Sequence, residues 1–448
     1  MLSVSEAEGR AGALVDAAIK AGADAADVLY IGDAATEVSV RLGELEDVTR
    51  SEGEEIGLRL FVGSRSASVS SSDLSVEALA ALVERAAAMA REAPEDPYSG
   101  LAPEQRLLKG PAPDVDAYDG ADPSPVALKE RALAIEDAAR AVPGVTNSEG
   151  AGVSAGRTMV ALATSHGFCR GYATSGYGAA ASVIGGEGGD MQRDSASHSV
   201  RHYADLDAPE TLGRLAGERT VRRLNPGKLA SGTMPILFDP RVGGSLIGAL
   251  LSAMSGPGIA RKTSFLLGRE DELLFDPSIV IVEDPHRPRG LKSKPFDGEG
   301  VATAPRRLID GGRLTGWLLN AASARQLGLE TSGHASRGIG GAPGAGATNV
   351  HLEPGALSPA ALMADIADGL YVTEMIGTGV NPVTGDYSRG ASGFIIRNGA
   401  LAAPVAEITI AGNLIDMFRA LVPANDLEFR RALNVPTLRV DGMTVAGA

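Results

Sequence analysis

The order of apolar and polar positions near the N-terminus predicts helices flanking antiparallel strands. Apolar residues recur at helical spacing over residues 5–21, where Ser5 and Glu8 form a capping box at the start of a helix. Alternation of apolar and polar residues in 37–42 and 57–62 is typical of half-buried antiparallel strands. A second helix follows, so the first module is predicted to run helix, antiparallel strands, helix.

A proline-rich stretch separates this module from the next one. Residues 92–125 contain seven prolines and little periodicity, which predicts a long surface connection. A helix is predicted at 125–141, where a proline suits the first turn. Weakly alternating runs rich in Ser, Thr, Val and Gly then predict long, twisted strands over 146–203, and a helix at 208–224 closes the region.

The tripeptide at 225–227, Asn-Pro-Gly, marks the predicted boundary between two domains, 1–225 and 226–448. After it come a strand at 234–238, a helix at 241–254 and many short strands separated by glycine turns. Strands and helices do not alternate regularly, as they would in a doubly wound fold. The predicted fold class is therefore α+β, with a helix-bearing N-terminal domain of antiparallel strands and a β-rich, antiparallel C-terminal domain.

Composition restricts the class of function. The chain has 448 residues, of which 44% are hydrophobic, and a single cysteine, Cys169, which excludes a disulfide framework and suits a reducing compartment. It has neither a signal-peptide pattern at the N-terminus nor an apolar run of ~20 residues, so a cytoplasmic location is expected. A formal net charge of -15 argues against a nucleic-acid partner. The short basic runs at 219–223 and 286–294 are expected to be solvated faces or loop contacts.

Three local patterns suggest other chemistry. Residues 152–156 match the GxSxG motif of serine hydrolases, but the surroundings predict strands and a turn rather than the strand-to-helix turn that this motif needs. His198 and His202 fall in a predicted strand, where a four-residue separation spans roughly 13 Å, too far to share one metal ion. Exposed or partner-facing histidines are the favoured interpretation. The glycine-rich run at 338–346 is not followed by Lys-Ser or Lys-Thr and is predicted to be a loop.

The second half of the chain carries a series of polar runs punctuated by glycine. They lie at 295–300, 331–337, 369–373, 377–381 and 384–393. The order and spacing of these runs, together with the tail Thr-Ile-Ala-Gly-Asn-Leu at 409–414, resemble the TldD/PmbA family of peptidase subunits over nearly the whole chain.

Within this family, the chain resembles the PmbA (TldE) branch. The TldD branch carries an HExxxH segment whose histidines bind zinc and whose glutamate is the general base, with a further cysteine near the C-terminus. In this sequence no histidine is followed by glutamate, and the corresponding helix positions, 248–253, read Gly-Ala-Leu-Leu-Ser-Ala. Cys169 lies upstream of that helix. The resemblance implies a subunit that binds no metal, has no catalytic residue of its own and forms a heterodimer with a TldD-like zinc subunit.

The resemblance also implies a peptidase that acts on unfolded peptides, to which this chain contributes part of an enclosing channel and a subunit interface. The candidate peptide- or partner-contact residues are His334, Arg337, Asn349, Asp386, Tyr387, Ser388 and Arg389. For His334 a structural hydrogen-bond network is favoured over catalysis. For Asp386 and Arg389, recognition and simple stabilisation of a turn remain equally weighted.

Two alternatives stay open at this point. The first is a homodimeric peptide-binding or regulatory protein without protease activity. The second is an independent hydrolase that uses Ser154 or an unrecognised metal site.

Overall fold

Nine α-helices and nineteen strands form within residues 1–447, the part of the chain that the computed structural model describes. The helices are α1 (Val4–Lys20), α2 (Val76–Glu92), α3 (Pro125–Arg140), α4 (Pro209–Arg222), α5 (Pro240–Ala253), α6 (Gly256–Ala260), α7 (Ala321–Leu327), α8 (Pro359–Met363) and α9 (Leu414–Arg419). The strands of the N-terminal half are β1 (Ala25–Arg41), β2 (Glu44–Val62), β3 (Arg65–Ser71), β4 (Val145–Thr164), β5 (Cys169–Gly185) and β6 (Gln192–Val200). The remaining strands are β7 (Gly232–Phe238), β8 (Ile281–Glu283), β9 (Arg306–Asp310), β10 (Arg313–Leu314), β11 (Ala335–Ser336), β12 (Gly344–Ala345), β13 (Val350–Leu352), β14 (Asp368–Ile376), β15 (Asp386–Arg397), β16 (Ala400–Asn413), β17 (Leu421–Pro423), β18 (Leu433–Asn434) and β19 (Leu438–Ala446).

The N-terminal half is built on one antiparallel sheet of long strands in the order β3-β2-β1-β4-β5-β6. Alternation along the strands gives this sheet two different faces. On one face, Val28 packs under α1 and α2, and further along the same strand Val38 packs under α3 and α4. On the other face, Leu29 and Leu162 pack against Phe296 of the C-terminal half. The second face of the sheet therefore meets the rest of the protein.

The C-terminal half contains a closed ring of strands. Its sheet runs β16-β15-β14-β7-β19-β17, and an additional pairing of β16 with β19 joins the sheet to itself. All neighbours are antiparallel except β14 and β7. Ile236, Leu370, Ile410 and Val440 are fully buried in the associated core. A smaller sheet, β10-β9-β8-β13-β18, and the helix α5 complete this half.

These features confirm the α+β class and the β-rich C-terminal half, while several boundaries differ from the predicted ones. The capping box of α1 is formed by Ser3 and Glu6, two residues before the predicted pair. The proline-rich connection runs mostly over the surface, and the buried side chains of Leu101, Leu107 and Val115 anchor it to the rest of the protein. The domain boundary near residue 225 stays a prediction. None of the helices within residues 1–447 is long and apolar enough to cross a membrane.

Candidate functional site

A cleft of about 720 Å³ lies between α5 and the second face of the N-terminal sheet. We call it the α5 cleft. The sheet contributes two cross-strand pairs, Thr158 with Thr174 and Val160 with Tyr172. Loop segments 292–294 and 345–348 complete its wall. Both halves of the chain therefore form this cleft.

One side of α5 faces the cleft. It presents Gly248, Leu251 and Ser252, which follow the three- and four-residue spacing of a helix face, and Ser255 lines the cleft just beyond the end of the helix. The Ser252 hydroxyl donates to the carbonyl of Gly248 at 2.9 Å. Leu250, by contrast, is fully buried in the core on the opposite side of the helix. The helix thus offers the cleft small and hydroxyl-bearing side chains.

The charged side chains that line the α5 cleft are all cationic. They are Arg201, Lys292 and Lys294, and the lining includes no carboxylate. Arg201 donates to the carbonyls of Ser175 and Leu291. Lys294 donates to the carbonyl of Ala335 at 3.2 Å, and burial lowers the pKa of this ammonium group. The cleft is therefore positively charged in a chain whose net charge is -15.

A zinc ion does not fit this cleft. Zinc sites in proteins use Cys, His, Asp and Glu ligands, and α5 offers none of these. Three cationic side chains in the same lining would also repel a divalent cation. Elsewhere in residues 1–447, no group of three or more His, Cys, Asp or Glu side chains is placed to hold a metal ion.

His334 belongs to a buried hydrogen-bond network. Its Nε2 donates to Glu283 Oε2 at 2.5 Å, and its Nδ1 lies 2.7 Å from the hydroxyl of Ser332. The other oxygen of Glu283 accepts from the amide and hydroxyl of Thr348 at 2.6 and 2.8 Å. Burial alone would raise the pKa of Glu283, but the His334 hydrogen bond and charge lower it. These contacts favour the structural role for His334.

Asn349 lies beside this network and fixes the loop that carries the cleft lysines. Its side-chain oxygen accepts from the amide of Lys292 at 2.9 Å, while its side-chain nitrogen donates to the carbonyl of Asp284 and the hydroxyl of Ser293. The side chain is almost fully buried. Asn349 therefore positions Lys292 and Ser293 through the backbone and does not itself line the cleft.

Arg337 extends to the N-terminal sheet and joins a buried cluster of charges. Its Nη1 lies 2.6 Å from Asp27 Oδ1, an ion-pair contact without hydrogen-bond geometry. Asp27 also accepts from Arg59, the residue directly opposite on β2. Glu299 lies 4.0 Å from Arg59 and accepts from the amide of Ala321 at 2.8 Å. We call Asp27, Arg59, Glu299 and Arg337 the buried quartet.

The quartet places two guanidinium groups beside two carboxyl groups in an interior position. Burial would raise the pKa of Asp27, but Arg337 and then Arg59 hold it below its ordinary value. Glu299 behaves differently, since burial and then the neighbouring Asp297 raise its pKa to about 7. The quartet links strands β1 and β2 to loops of the C-terminal half.

The remaining candidates lie on β15, not in a loop. The predicted loop at 384–393 was wrong from Asp386 onward, because this strand pairs with both β14 and β16. Asp386 accepts from Thr384 and Asn413, Tyr387 is buried, and Ser388 is exposed. Arg389 is half-buried, and its Nε is buried without a hydrogen-bond partner among the described residues.

The candidate residues thus fall into two separate groups. His334, Arg337 and Asn349 surround the loops near residues 283–299, whereas Asp386, Tyr387, Ser388 and Arg389 lie on the ring of strands. Within residues 1–447, no hydrogen bond or ion pair joins the two groups, and none of the seven residues lines the α5 cleft.

Comparison with known proteins gives a consistent family assignment. Three family models match, described as PmbA/TldA metallopeptidase domain 1 (residues 26–90), central domain (118–224) and C-terminal domain (231–447). The chain belongs to the TldD/PmbA family, in its PmbA (TldE) branch. Metalloprotease PmbA of Escherichia coli O157:H7 is 38% identical over 426 residues, which cover 95% of this chain and 92% of that protein.

Solved structures share the whole fold of this PmbA-branch chain. A crystal structure from Bacteroides thetaiotaomicron matches with a TM-score of 0.92 at 27% identity and covers 100% of both chains. TldE from Thermococcus kodakarensis matches with a TM-score of 0.86 at 22% identity, over 97% of this chain and 99% of that one. At the latter identity the likeness concerns the fold alone.

The local patterns of the sequence do not form independent sites in this PmbA-branch fold. Ser154 lies in the middle of β4, opposite Gly178, and no strand-to-helix turn follows it. His198 pairs with Asp207, and His202 separately contacts Asp116. Both imidazoles are mostly buried, which contradicts the exposed alternative, while the partner-facing alternative stays a prediction.

The structure also shows where the glycine-rich run and the single cysteine lie. The glycine-rich run at 338–346 contains the short strand β12. The carbonyl of Ile339 in this run lies so close to Gly57 that an added Cβ would be 2.0 Å from it. Cys169 is exposed at the start of β5 and contacts the carbonyl of Glu8.

Sequence reasoning missed the cationic cleft. The sequence predicts a solvated face or a loop contact at 286–294, yet Lys294 is largely enclosed by protein. Arg223, in the other basic run, is also buried, with ion pairs to Asp194 and Glu374. The sequence feature that could have indicated the cleft is the pair Lys292 and Lys294, separated only by Ser293. These lysines form a cleft only together with residues of β4 and β5, which are distant in sequence.

Proposed function

We propose that this chain is the non-catalytic subunit of a TldD/TldE-type zinc metallopeptidase that cleaves unfolded peptides. Zinc and the general base belong, in this proposal, to a TldD-like partner subunit. This chain contributes part of the enclosing channel and the subunit interface. The chain's membership of the TldD/PmbA family is the starting point, and its role within a complex is what we propose.

The observation that carries this proposal is the cleft-facing side of α5. In the TldD branch the corresponding helix bears the zinc ligands, whereas here it presents Gly248, Leu251 and Ser252 to a cleft lined with cations. These side chains supply no zinc ligand and no general base. A cleft of about 720 Å³ that lacks catalytic groups supports a role in holding or enclosing a peptide.

The far end of the β1–β2 ribbon offers a surface for a partner. Leu42, Leu45 and Val48 are exposed there, with 50%, 43% and 44% of their surfaces accessible. Strand β3 pairs with β2 only over residues 56–62, so residues 44–55 have an outer edge without a strand partner within the described chain. Exposed apolar side chains beside an open strand edge are typical of contact surfaces between chains.

Reconstitution with a TldD-like subunit tests the proposal. We expect the purified chain alone to bind no stoichiometric zinc and to leave an unfolded peptide intact, and its mixture with the zinc subunit to cleave that peptide. Size-exclusion chromatography, metal analysis of protein made without an affinity tag, and a peptide-cleavage assay are the measurements.

Specific outcomes would contradict this proposal. One tightly held zinc ion per chain, or chelator-resistant cleavage by the lone chain that Ser154→Ala abolishes, would return the function to an independent hydrolase. Stable homodimers that neither join the zinc subunit nor support cleavage would favour the regulatory alternative.

Arg389 gives a sharper test of the subunit interface. We expect Arg389→Ala to keep the wild-type thermal transition, because the side chain makes no ion pair among the described residues. Complex formation or peptide cleavage by the pair should fall about tenfold, since a partly buried guanidinium can form several hydrogen bonds with a partner. Titration of the zinc subunit, followed by the cleavage assay, measures both effects.

Arg397→Ala is the matched control, because Arg397 lies on the same strand, is exposed and pairs with Asp368. It should behave as wild type. If Arg389→Ala and Arg397→Ala assemble and cleave equally well, β15 is not part of the interface or the channel.

A further inference from the structure

The α5 cleft has the charge of an anion-binding site. We propose that it binds a carboxylate-bearing segment of an extended polypeptide, and that Lys292, Lys294, Arg201 and Tyr172 are the groups that receive the carboxylates. This inference rests on the proposed function only in taking a peptide as the substrate. The preference for an anion follows from the charged groups of the cleft itself.

The positive charges of this cleft are not neutralised by carboxylates. Arg201 donates to backbone carbonyls of Ser175, Gly290 and Leu291 and makes no ion pair within the described chain. The Lys292 side chain likewise makes no ion pair among residues 1–447, while its residue is exposed to solvent. One carboxylate, that of Asp33, approaches the edge by accepting from the hydroxyl of Thr158 at 2.6 Å.

Lys294 is the strongest single indication. Its ammonium group is enclosed and holds one carbonyl, that of Ala335, while Asp297 and Glu283 act on it only through longer-range attraction. An enclosed ammonium group without an ion pair costs free energy unless another group compensates its charge. A carboxylate that enters the cleft would supply this compensation.

A second cleft of the same protein has charges of both signs, so a purely cationic lining is a property of the α5 cleft and not of every cleft in this chain. The second cleft has a volume of about 670 Å³ and is lined by side chains of both signs. Arg241, for example, pairs there with Asp194 and Asp239. The charge of Arg241 is therefore neutralised within the chain. The α5 cleft, in contrast, has cations and no carboxylate in its lining.

Hydroxyl groups that have no hydrogen-bond partner in the described residues supply further donors to the cleft. The Tyr172 hydroxyl has no hydrogen-bond partner within residues 1–447, and it lies close enough to Arg201 for the guanidinium to act on its pKa. Burial raises that pKa and so keeps the phenol protonated as a donor. Thr174, Ser255 and Ser336 add hydroxyls that form no side-chain hydrogen bond in the described residues.

The rest of the lining points to a peptide and not to a small inorganic ion. Val160, Leu251 and Leu433 provide apolar surface between the cationic groups. The volume of about 720 Å³ is within the range of roughly 300 to 1,000 Å³ found for organic ligand sites. A ligand that satisfies both features carries carboxylates along a partly apolar chain, as a peptide with alternating glutamate and aliphatic residues does.

Fluorescence anisotropy with the isolated chain tests the inference. The probes are two labelled, unstructured peptides of equal length, one with alternating Glu and Val and one with alternating Lys and Val. We expect the acidic peptide to bind and the basic peptide to bind at least about tenfold more weakly, with binding weakened by added salt because the attraction is electrostatic. No zinc subunit is present in this assay.

Variants locate the binding in the cleft. Lys292→Glu is expected to weaken binding of the acidic peptide about tenfold, since it replaces an attractive charge with a repulsive one. Lys294→Met, which keeps the length of the side chain, should have a similar effect. Lys228→Glu is the control, because Lys228 is exposed and does not line the cleft. The exposed position of Lys292 lets that variant decide the question even if Lys294→Met fails to fold.

Three results would overturn the inference. They are equal binding of the acidic and basic peptides, equal loss for Lys292→Glu and Lys228→Glu, and full displacement of the acidic peptide by acetate or phosphate at the same concentration as the peptide. Cleavage by the reconstituted pair is scored separately. Intact cleavage without acidic-peptide binding would remove this inference and leave the proposed function in place.

Discussion

Replacing Asp27 with Asn is expected to lower the free energy of unfolding by about 3 to 5 kcal/mol, because it removes one partner of a buried ion pair. Asp27 lies between Arg59 on the neighbouring strand and Arg337 of the C-terminal half. Its side chain is 2% exposed, and that of Arg337 is 1% exposed. The amide of Asn cannot neutralise either guanidinium, so two buried positive charges would face only Glu299.

The effect should be concentrated where the two halves meet. Arg337 lies on a loop of the C-terminal half, and Asp27 is its ion-pair partner in the N-terminal sheet. Amide hydrogen exchange near residues 297–300 and 335–339 should therefore increase more than exchange in the ring of strands. Chemical denaturation measures the total loss, and exchange identifies the segments that open.

Asp47→Asn is the matched control, since Asp47 is exposed on β2 and its side chain hydrogen-bonds only with Thr49 among the described residues. Its effect should stay within about 0.5 kcal/mol, as for most surface substitutions. A loss below about 1 kcal/mol for Asp27→Asn would mean that the quartet contributes little to stability, a result known for some buried ion pairs replaced as a whole.

Sequence periodicity predicted part of β1 and of β2, but for different physical reasons. Residues 37–42 alternate because only one face of β1 is buried there, whereas residues 57–61 are buried on both faces and alternate because the buried quartet accommodates the polar Arg59. The full strands extend over Ala25–Arg41 and Glu44–Val62, and most of residues 44–55 is exposed. A strand exposed on both faces carries no alternation, so local sequence could not reveal the length of the ribbon.

Glycine misled the prediction for β15. Glycines commonly mark turns, so the sequence predicts a loop at 384–393. In the strand, an added Cβ at Gly393 would lie 1.9 Å from the carbonyl oxygen of Tyr371, so the glycine allows close approach to β14. Close packing between strands and tight turns both favour glycine. Only the neighbouring residues in the folded structure show which of the two requires the glycine.

The position of helix α5 could be predicted from sequence, but the chemistry of the space beside it could not. The apolar pattern indicated a helix at 241–254, and the structure has α5 at Pro240–Ala253. The charges opposite it come from Arg201 in one half and from Lys292 and Lys294 in the other. The sequence around Arg201 does not indicate that Lys292 and Lys294 lie nearby, and the reverse is also true. The cationic cleft can therefore be recognised only in the folded structure, where the two halves pack together.

Glu299 is expected to make the protein less stable as the pH rises from 5 to 8. Burial, Asp297 and Asp27 raise the pKa of Glu299 from its ordinary value of 4.5 to about 7, with Arg59 opposing them. Between pH 4.5 and about pH 7 the carboxyl group of Glu299 is therefore protonated in the folded state and ionised in the unfolded state. The stabilisation is therefore fully present below pH 4.5 and is lost as the pH rises through about 7.

A shift of this size corresponds to a loss of about 2 to 3 kcal/mol between pH 5 and pH 8. Glu299→Gln should lack this part of the pH dependence, because glutamine stays neutral and can still accept the hydrogen bond from the amide of Ala321. Glu84→Gln, at an exposed position of α2, should keep the wild-type slope. Urea denaturation at a series of pH values gives the three curves. If the curves of wild type and Glu299→Gln run parallel across this range, Glu299 is already ionised in the folded state, and Arg59 compensates its charge more strongly than burial opposes it.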